Sequence, residues 1–311
     1  MDDIRFSIFT ATYNRAKYLN RLYSSLKSQT FKDFEWIIID DGSTDDTENV
    51  VQSFINEQKL KKIKYLKKDN GGKHTAWKLA DRVFSAPYVI AIDSDDTLLP
   101  GALEIFNRYW EQLESSQDYH LFWEVKGRCQ NEKGELLGGA LPDKIFDSNT
   151  DEMVFKYGFK KEMHACRKSI VLRNEASVPE NFPFQEKCNN FSESIRWSRA
   201  GKKFKTRYFD EVVRTYYSDA EDSLTSKKNI SQSSLYNSLV QTIYAIQERS
   251  NVMLKWDMQS YLKTIIIFYS TCFSLKHNPV KILRANAIDG FFIELMIIPS
   301  YVYWMIFKKN N

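Results

Sequence analysis

Glycine and proline are scarce in this chain, at 11 and 7 among 311 residues. That excludes collagen-like and low-complexity classes, which need far more of both. Cysteine is scarcer still. Cys129, Cys166, Cys188 and Cys272 are widely and irregularly spaced, with no CxxC pair. Neither a disulfide framework nor a zinc site is expected, and a reducing cytoplasm fits. The opening Met1-Asp2-Asp3-Ile4-Arg5 is acidic and lacks an apolar stretch, so no signal peptide is expected there. Neither sign of charge dominates: 44 Lys+Arg face 40 Asp+Glu, a formal +4. That balance does not mark a nucleic-acid binder, and no such partner is expected. With 43% hydrophobic residues the chain is not disordered. Its length allows one large or two modest domains with a well-buried core.

What is present is an alternation of strand and helix signals. Residues 4–10 read as a strand, and Asn14 as the cap of a helix carrying Tyr18, Leu19, Leu22 and Leu26 at helical spacing. The run Trp36-Ile37-Ile38-Ile39 is a second strand, followed by a helix with Val50, Val51, Phe54 and Ile55. A strand at 63–66, the turn Asp69-Asn70-Gly71-Gly72, a helix through Trp77, Leu79, Ala80, Val83 and Phe84, and a strand at 88–92 complete the first hundred residues. Continuous apolar strands between amphipathic helices predict a parallel sheet covered on both faces. Ligands of such sheets bind at the carboxyl ends of the strands. Residues 101–226 read as an α+β half, with a turn at Asn131-Glu132-Lys133-Gly134. Beyond 230 the pattern is helical, with stripes Leu235, Leu239, Ile243, Ile246 and Leu262, Ile265, Ile266, Tyr269, Phe273. Residues 290–307 carry one charge, Glu294, include Pro299, and precede Lys308 and Lys309. The stripe Phe291, Phe292, Leu295, Ile298, Val302, Met305 suits an interfacial helix kinked at Pro299; a short span, a core helix or a dimer helix are the other readings.

Two strands end in carboxylates: Asp40-Asp41-Gly42-Ser43-Thr44-Asp45 and Asp93-Ser94-Asp95-Asp96. Turn formation and helix capping, by Thr44 or Asp45, account for one such cluster. Two at the ends of neighbouring parallel strands concentrate negative charge in one crevice, which calls for a cation or a donor-rich ligand. Oxygen ligands favour Mg²⁺ or Mn²⁺, bridging carboxylates to a diphosphate. The loop Thr10-Ala11-Thr12-Tyr13-Asn14-Arg15 is not a dinucleotide G-x-G-x-x-G, no Walker A sequence occurs, and the segment from Asp40 lacks the sixth-position glycine of an EF-hand.

Four pieces, Thr10-Ala-Thr-Tyr-Asn-Arg15, Ile39-Asp-Asp-Gly-Ser-Thr-Asp45, Asn70-Gly-Gly-Lys-His-Thr-Ala76 and Asp93-Ser-Asp-Asp96, resemble in order and spacing the family 2 glycosyltransferases of bacterial cell-surface glycans. The resemblance covers roughly residues 4–100. It implies a GT-A fold: a Rossmann-like nucleotide-binding half over 1–100 with a mostly parallel sheet, an α+β acceptor half over 101–226, and a helical C-terminal extension over 227–311. By the same resemblance Thr10, Ala11 and Tyr13 pack on the nucleotide base. Asp40 or Asp41 accepts the uracil N3–H, depending on strand parity. Lys73 faces the nucleotide, while His74 packs at a helix start. Asp93 and Ser94 line the nucleotide site, Asp93 and Asp95 hold Mg²⁺ or Mn²⁺, and Asp96 serves the metal or the following turn. The general base is Glu193, with Trp197 one helical turn on and Glu186 as the alternative. His164 and Arg167 line the acceptor pocket or pack structurally. Asp219 is the substitute that residues 216–219 offer for a late metal-contacting histidine.

The implied reaction is inverting transfer of a sugar from a nucleotide-sugar, a UDP-sugar by analogy, to a glycan or lipid-linked acceptor. It would take place on the inner face of the cell membrane, with the protein bound peripherally. The rivals are a nucleotidyltransferase, which should carry a glycine-rich basic loop that residues 10–15 are not, and a non-catalytic sugar-nucleotide or partner-binding module.

Overall fold

The computed structural model describes residues 4–159, 162–176, 182–188, 191–219, 231–285 and 297–309. Strands β1 (Phe6–Thr12), β2 (Phe34–Asp40), β3 (Ile63–Lys67) and β4 (Tyr88–Ala91) alternate with helices α1 (Ala16–Lys27), α2 (Thr47–Glu57) and α3 (Lys73–Val83). They are mutually parallel in the order β3-β2-β1-β4. Every residue of β2 is buried, as a strand covered on both faces requires. β3 lies at the sheet edge and is only half-buried; Lys64 and Lys67 on it discourage pairing with another chain.

The second half extends the same sheet. It contributes β5 (Thr97–Leu98), α4 (Ala102–Glu114), β6 (Phe122–Asn131), β7 (Leu136–Leu137), β8 (Ile145–Ser148), β9 (Met163–Lys168), α5 (Ser169–Asn174), α6 (Glu193–Lys203) and β10 (Lys205–Tyr216). β9 lies antiparallel between β4 and β6, and β10 runs parallel to β6. Side chains alternate across the sheet. Phe6, Ile8, Trp36 and Ile38 meet α1, α2 and α4 on one face, while Phe9, Ile37 and Ile39 meet α3 and α5 on the other. α7 (Gln232–Trp256), α8 (Met258–Ser274), α9 (Pro279–Ala285) and α10 (Ile297–Lys309) follow. Leu239, Ile243, Ile265 and Tyr269 form their core together with Phe182, Phe191 and Ile195. The four cysteines are free and buried.

Local details depart from the sequence expectations. Asn14 does not cap α1. It adopts a left-handed φ of 53° and its Oδ1 accepts from Thr44 N at 2.8 Å, a conformation its short polar side chain tolerates. On α8 the buried stripe starts at Tyr261, and Leu262 is exposed. Phe291, Phe292 and Leu295 lie outside the described residues. Pro299 falls in the first turn of α10, where a missing N–H breaks no intrahelical bond. α10 packs on α8 through Trp304 Nε1, which donates to Ser274 Oγ at 2.9 Å, and Tyr301, edge-on to Phe273. Among the described residues no helix is long and apolar enough to cross a membrane.

One buried carboxylate sets an acid limit on this fold. Glu35 accepts from Ser7 Oγ at 2.7 Å and Ser85 N at 2.9 Å, and Lys64 Nζ lies 2.9 Å away. Burial alone would raise its pKa, but hydrogen bonds from Ser85, Ser7 and Lys64 hold it at about 2. A depressed carboxylate stabilises the fold fully above its unfolded pKa, and that contribution fades as pH falls through the folded value. Urea unfolding should therefore show stability declining from pH 4.5 toward 2, with a shallower decline in Glu35→Gln. An identical slope in the variant would remove Glu35 as the cause.

Candidate active site

The sheet order reverses between β1 and β4, so the loops after them open a crevice at the carboxyl ends of the strands. Side chains tie these loops together. Asn14 N donates to Ser43 Oγ at 2.9 Å, and Ala16 N to Asp45 Oδ2 at 3.1 Å. Gly42 has φ +83°, and a Cβ there would stand 2.9 Å from Asn70 N, so only glycine lets the loops after β2 and β3 meet.

Strand parity separates the first acidic pair. Asp40 turns to the α1/α2 face with Trp36 and Ile38 and is wholly buried, accepting from Ser43 N at 2.8 Å and Tyr65 Oη at 2.6 Å. It is a brace for the loop, which corrects the expectation that it reaches a base. Asp41 turns the other way and accepts from Gly71 N at 3.0 Å, Gly72 N at 2.7 Å and Lys68 Nζ. Thr10 is corrected for the same reason. Its side chain shares the face of Phe6 and Ile8 and accepts from Trp36 Nε1 at 3.1 Å. Ala11 faces the crevice, and Tyr13 is 46% exposed at its rim.

Beside them lies a cavity of about 480 Å³, lined by Ala11, Lys73, Asp93, Arg167, Glu193, Trp197 and Arg214 among others. Lys73, on the first turn of α3, bridges two of the sequence candidates. Its Nζ lies 2.7 Å from Asp93 and 3.4 Å from Glu193. Burial would lower the Lys73 pKa, but the charges of Asp93 and Glu193 overcome it and raise it. Lys73, and then Arg214 against burial, hold the Asp93 carboxyl well below the usual range. Glu193 opens α6 behind the Ser192 cap and also accepts from Trp77 Nε1. Trp197 packs edge-on to Trp77, one turn further along.

The second acidic cluster divides three ways. Asp96 accepts from Arg214 Nε at 2.8 Å and Tyr217 N at 3.0 Å, a role in the following turn. Burial pushes it up to about 6, so at neutral pH the pair is ionised. Ser94 is buried between the two half-buried carboxylates of Asp93 and Asp95. The Asp95 carboxylate accepts no hydrogen bond from another described residue, and burial and then the charge of Asp93 raise its pKa. A carboxylate short of positive charge fits a divalent cation. Asp93 is already offset by Lys73 and Arg214. Among the described residues no three His, Cys, Asp or Glu converge, so a cation here would share one or two carboxylates with diphosphate oxygens.

Other candidates fall elsewhere. Glu186 is exposed and does not line the cavity. Asp219 pairs with Arg21 at 2.8 Å, and Arg21 in turn donates to the Asp95 carbonyl at 2.5 Å. His74 lies half-buried near Phe191 at the start of α3. His164 lines the cavity, and burial and then Arg214 push its pKa well below 6.5, leaving the ring neutral. Sequence reasoning missed Arg214. An arginine in the apolar stretch Val212-Val213-Arg214 was the available signal, since a buried guanidinium demands acidic partners.

Comparison with known proteins finds relatives named as glycosyltransferases. Residues 7–125 match the family model for glycosyl transferase family 2. A Campylobacter jejuni protein, GalNAc(5)-diNAcBac-PP-undecaprenol beta-1,3-glucosyltransferase, is 29% identical over 71% of this chain and 67% of its own. Staphylococcus aureus TarS, a poly(ribitol-phosphate) beta-N-acetylglucosaminyltransferase, is 35% identical over 48% of this chain and 24% of its own. An uncharacterised Rickettsia conorii glycosyltransferase is 29% identical over 60% of this chain. The chain spans 30% or less of the latter two. In three dimensions, S. aureus TarS 1–349 in complex with UDP superposes with a TM-score of 0.55 at 17% identity, over 99% of this chain and 92% of that one. Residues 7–125 are thus similar to the family 2 glycosyltransferases, and the fold is the GT-A fold of the TarS structure.

Proposed function

We propose that this protein transfers a sugar, with inversion, from a UDP-sugar to a hydroxyl of a cell-surface glycan or its lipid-linked precursor. The observation that carries this reading is the meeting of Asp93 and Glu193 at Lys73 in one cavity beside the crevice. Relatives named for glucosyl and N-acetylglucosaminyl transfer to such acceptors support it; fold alone would not. In this reading Ala11, Tyr13, Asp41 and Ser94 receive the nucleotide. Glu193 takes the proton of the attacking hydroxyl, which approaches beside Trp197. Lys73 and Arg214 place fixed positive charge where the diphosphate departs. Mg²⁺ or Mn²⁺ on Asp95 and Asp93 would add further charge stabilisation to that leaving group.

UDP release from UDP-sugars, with and without acceptor, tests the reading. A nucleotidyltransferase would release pyrophosphate from UTP instead, and a binding module would release nothing. Asp95→Asn should reduce transfer by about 10²-fold or more and weaken Mn²⁺-dependent UDP binding without unfolding the chain. Full activity in this variant would end the assignment of Asp95.

We take residues 1–226 as the catalytic domain and 227–311 as a helical extension held at the inner face of the membrane. Leu254, Met258 and Leu262 are exposed around the α7–α8 corner, as are Tyr301, Tyr303 and Met305 on α10, side chains that suit an acyl–headgroup boundary. The full chain should float with anionic liposomes, and Tyr303→Glu with Met305→Glu should release it while sparing UDP hydrolysis. Failure of the unaltered chain to float would return α10 to a packing or dimer helix.

A further inference from the structure

Arg167 stands out among the groups that line the cavity. It lies on β9 and is only 8% exposed. Its Nε donates to Glu124 Oε2 at 2.7 Å, and its guanidinium lies 4.0 Å over the ring of Trp197 and 5.6 Å over Trp123. These contacts fix the plane and direction of the group. Its two terminal nitrogens make no hydrogen bond to any described residue, so four N–H donors of a buried guanidinium are left unmatched. These donors face the open cavity, where they are free to bind an acceptor group of a ligand in place of water.

The charges around it do not cancel. Glu124 is fully buried and faces two cations, Arg167 and Lys126, whose Nζ lies 2.9 Å from Glu124 Oε1; Thr206 Oγ1 occupies Oε1 as well. Arg167 and Lys126 both line the cavity. The other acids there are engaged: Asp93 and Glu193 with Lys73, and Glu162 with Arg214 at 3.2 Å. His164 is neutral and adds no charge; its Nε2 is also unpartnered among the described residues. The group of Arg167, Lys126 and Glu124 therefore carries one positive charge, while at the other end of the cavity Lys73 and Arg214 are outnumbered by Asp93, Glu193, Glu162 and Asp96. A fork of two parallel N–H groups on a locally positive group matches the paired oxygens of a carboxylate or phosphate. Neutral hydroxyls would satisfy single donors and leave the charge.

Position decides which substrate carries that anion. Trp197 follows Glu193 by four residues on α6, so the two share a face. Arg167 stacks on Trp197, on the base's side of the cavity. We infer that the acceptor bears a carboxylate or phosphate near the hydroxyl that is glycosylated, and that Arg167 binds it through both terminal nitrogens. This inference rests on the transferase reading for the words donor and acceptor; the anion site itself does not.

The test uses the full chain saturated with UDP and titrated with methyl glucuronide, glucose 6-phosphate and methyl glucoside, followed by tryptophan fluorescence. At least one anionic probe should bind about tenfold or more tightly than methyl glucoside, as a charge-assisted pair warrants; which one separates carboxylate from phosphate. The preference should shrink in about 0.5 M salt and vanish in Arg167→Met, with UDP affinity kept. Glu124→Gln combined with Arg167→Met avoids stranding a buried carboxylate and should give the same loss if the single variant is unstable. Equal binding of all three probes, or an equal loss for all three in the variant, overturns the inference. So does an anion preference that appears only on the donor, as UDP-glucuronate over UDP-glucose. If anion preference holds while no UDP-sugar is hydrolysed or transferred, the transferase reading fails and the anion site stands.

Discussion

Glu193→Gln should lower kcat by about 10²-fold or more, the usual scale for loss of a general base, with little change in UDP affinity. The substitution keeps the shape of the side chain and its acceptor oxygen for Trp77 Nε1. It removes the charge facing Lys73 at 3.4 Å and the ability to take a proton. Lys73 keeps Asp93 at 2.7 Å, so the nucleotide side of the cavity should hold its arrangement. Steady-state kinetics with separate titration of UDP distinguish the cases. A matching fall in UDP affinity would make Glu193 a structural post. Unchanged turnover would remove it as the base, and Glu186, exposed and away from the cavity, would be the remaining sequence candidate.

Arg214→Met should destabilise the fold by about 3–5 kcal/mol, the range seen when one partner of a buried ion pair is removed. Arg214 and Asp96 are both buried, and Arg214 also approaches Asp93 at 3.5 Å and Glu162 at 3.2 Å. Without the guanidinium, which holds the Asp96 pKa down against burial, the Asp96 carboxyl must either stay charged in the interior or take up a proton, and either costs stability. Adding Asp96→Asn should recover much of the loss, because it removes the stranded carboxyl. Urea unfolding of the two single variants and the double measures this directly. A loss below about 1 kcal/mol would place the pair with solvent-screened surface bridges.

The first half of the fold was legible because its strands are continuous apolar runs and its helices have clear stripes. Residues 36–39 read as a doubly covered strand, and every one of them is buried. Parity at the strand end was not legible. Asp40 and Asp41 look alike in sequence, and the register that sends one to Tyr65 and the other to Gly72 is a property of the assembled sheet. Long-range partners were hidden for the same reason. Arg214 meets Asp96 across 118 positions, and Arg167 meets Glu124 across 43. On α8, Leu262 and Tyr261 both satisfy a helical stripe, and only packing against α7 selects Tyr261.

α6 belongs to two interiors at once. Ile195 is seated among the C-terminal helices, Ala200 under the sheet, and Arg196 reaches Asp81 of α3 at 2.7 Å. Gly201 brings the helix so close to Thr150 that a Cβ would overlap its hydroxyl at 2.1 Å. In mechanical terms the helix is a beam clamped at both ends, with Glu193 on its tip. The stiffness that places Glu193 beside Lys73 is therefore drawn from both interiors, the helical one through Ile195 and the sheet through Ala200.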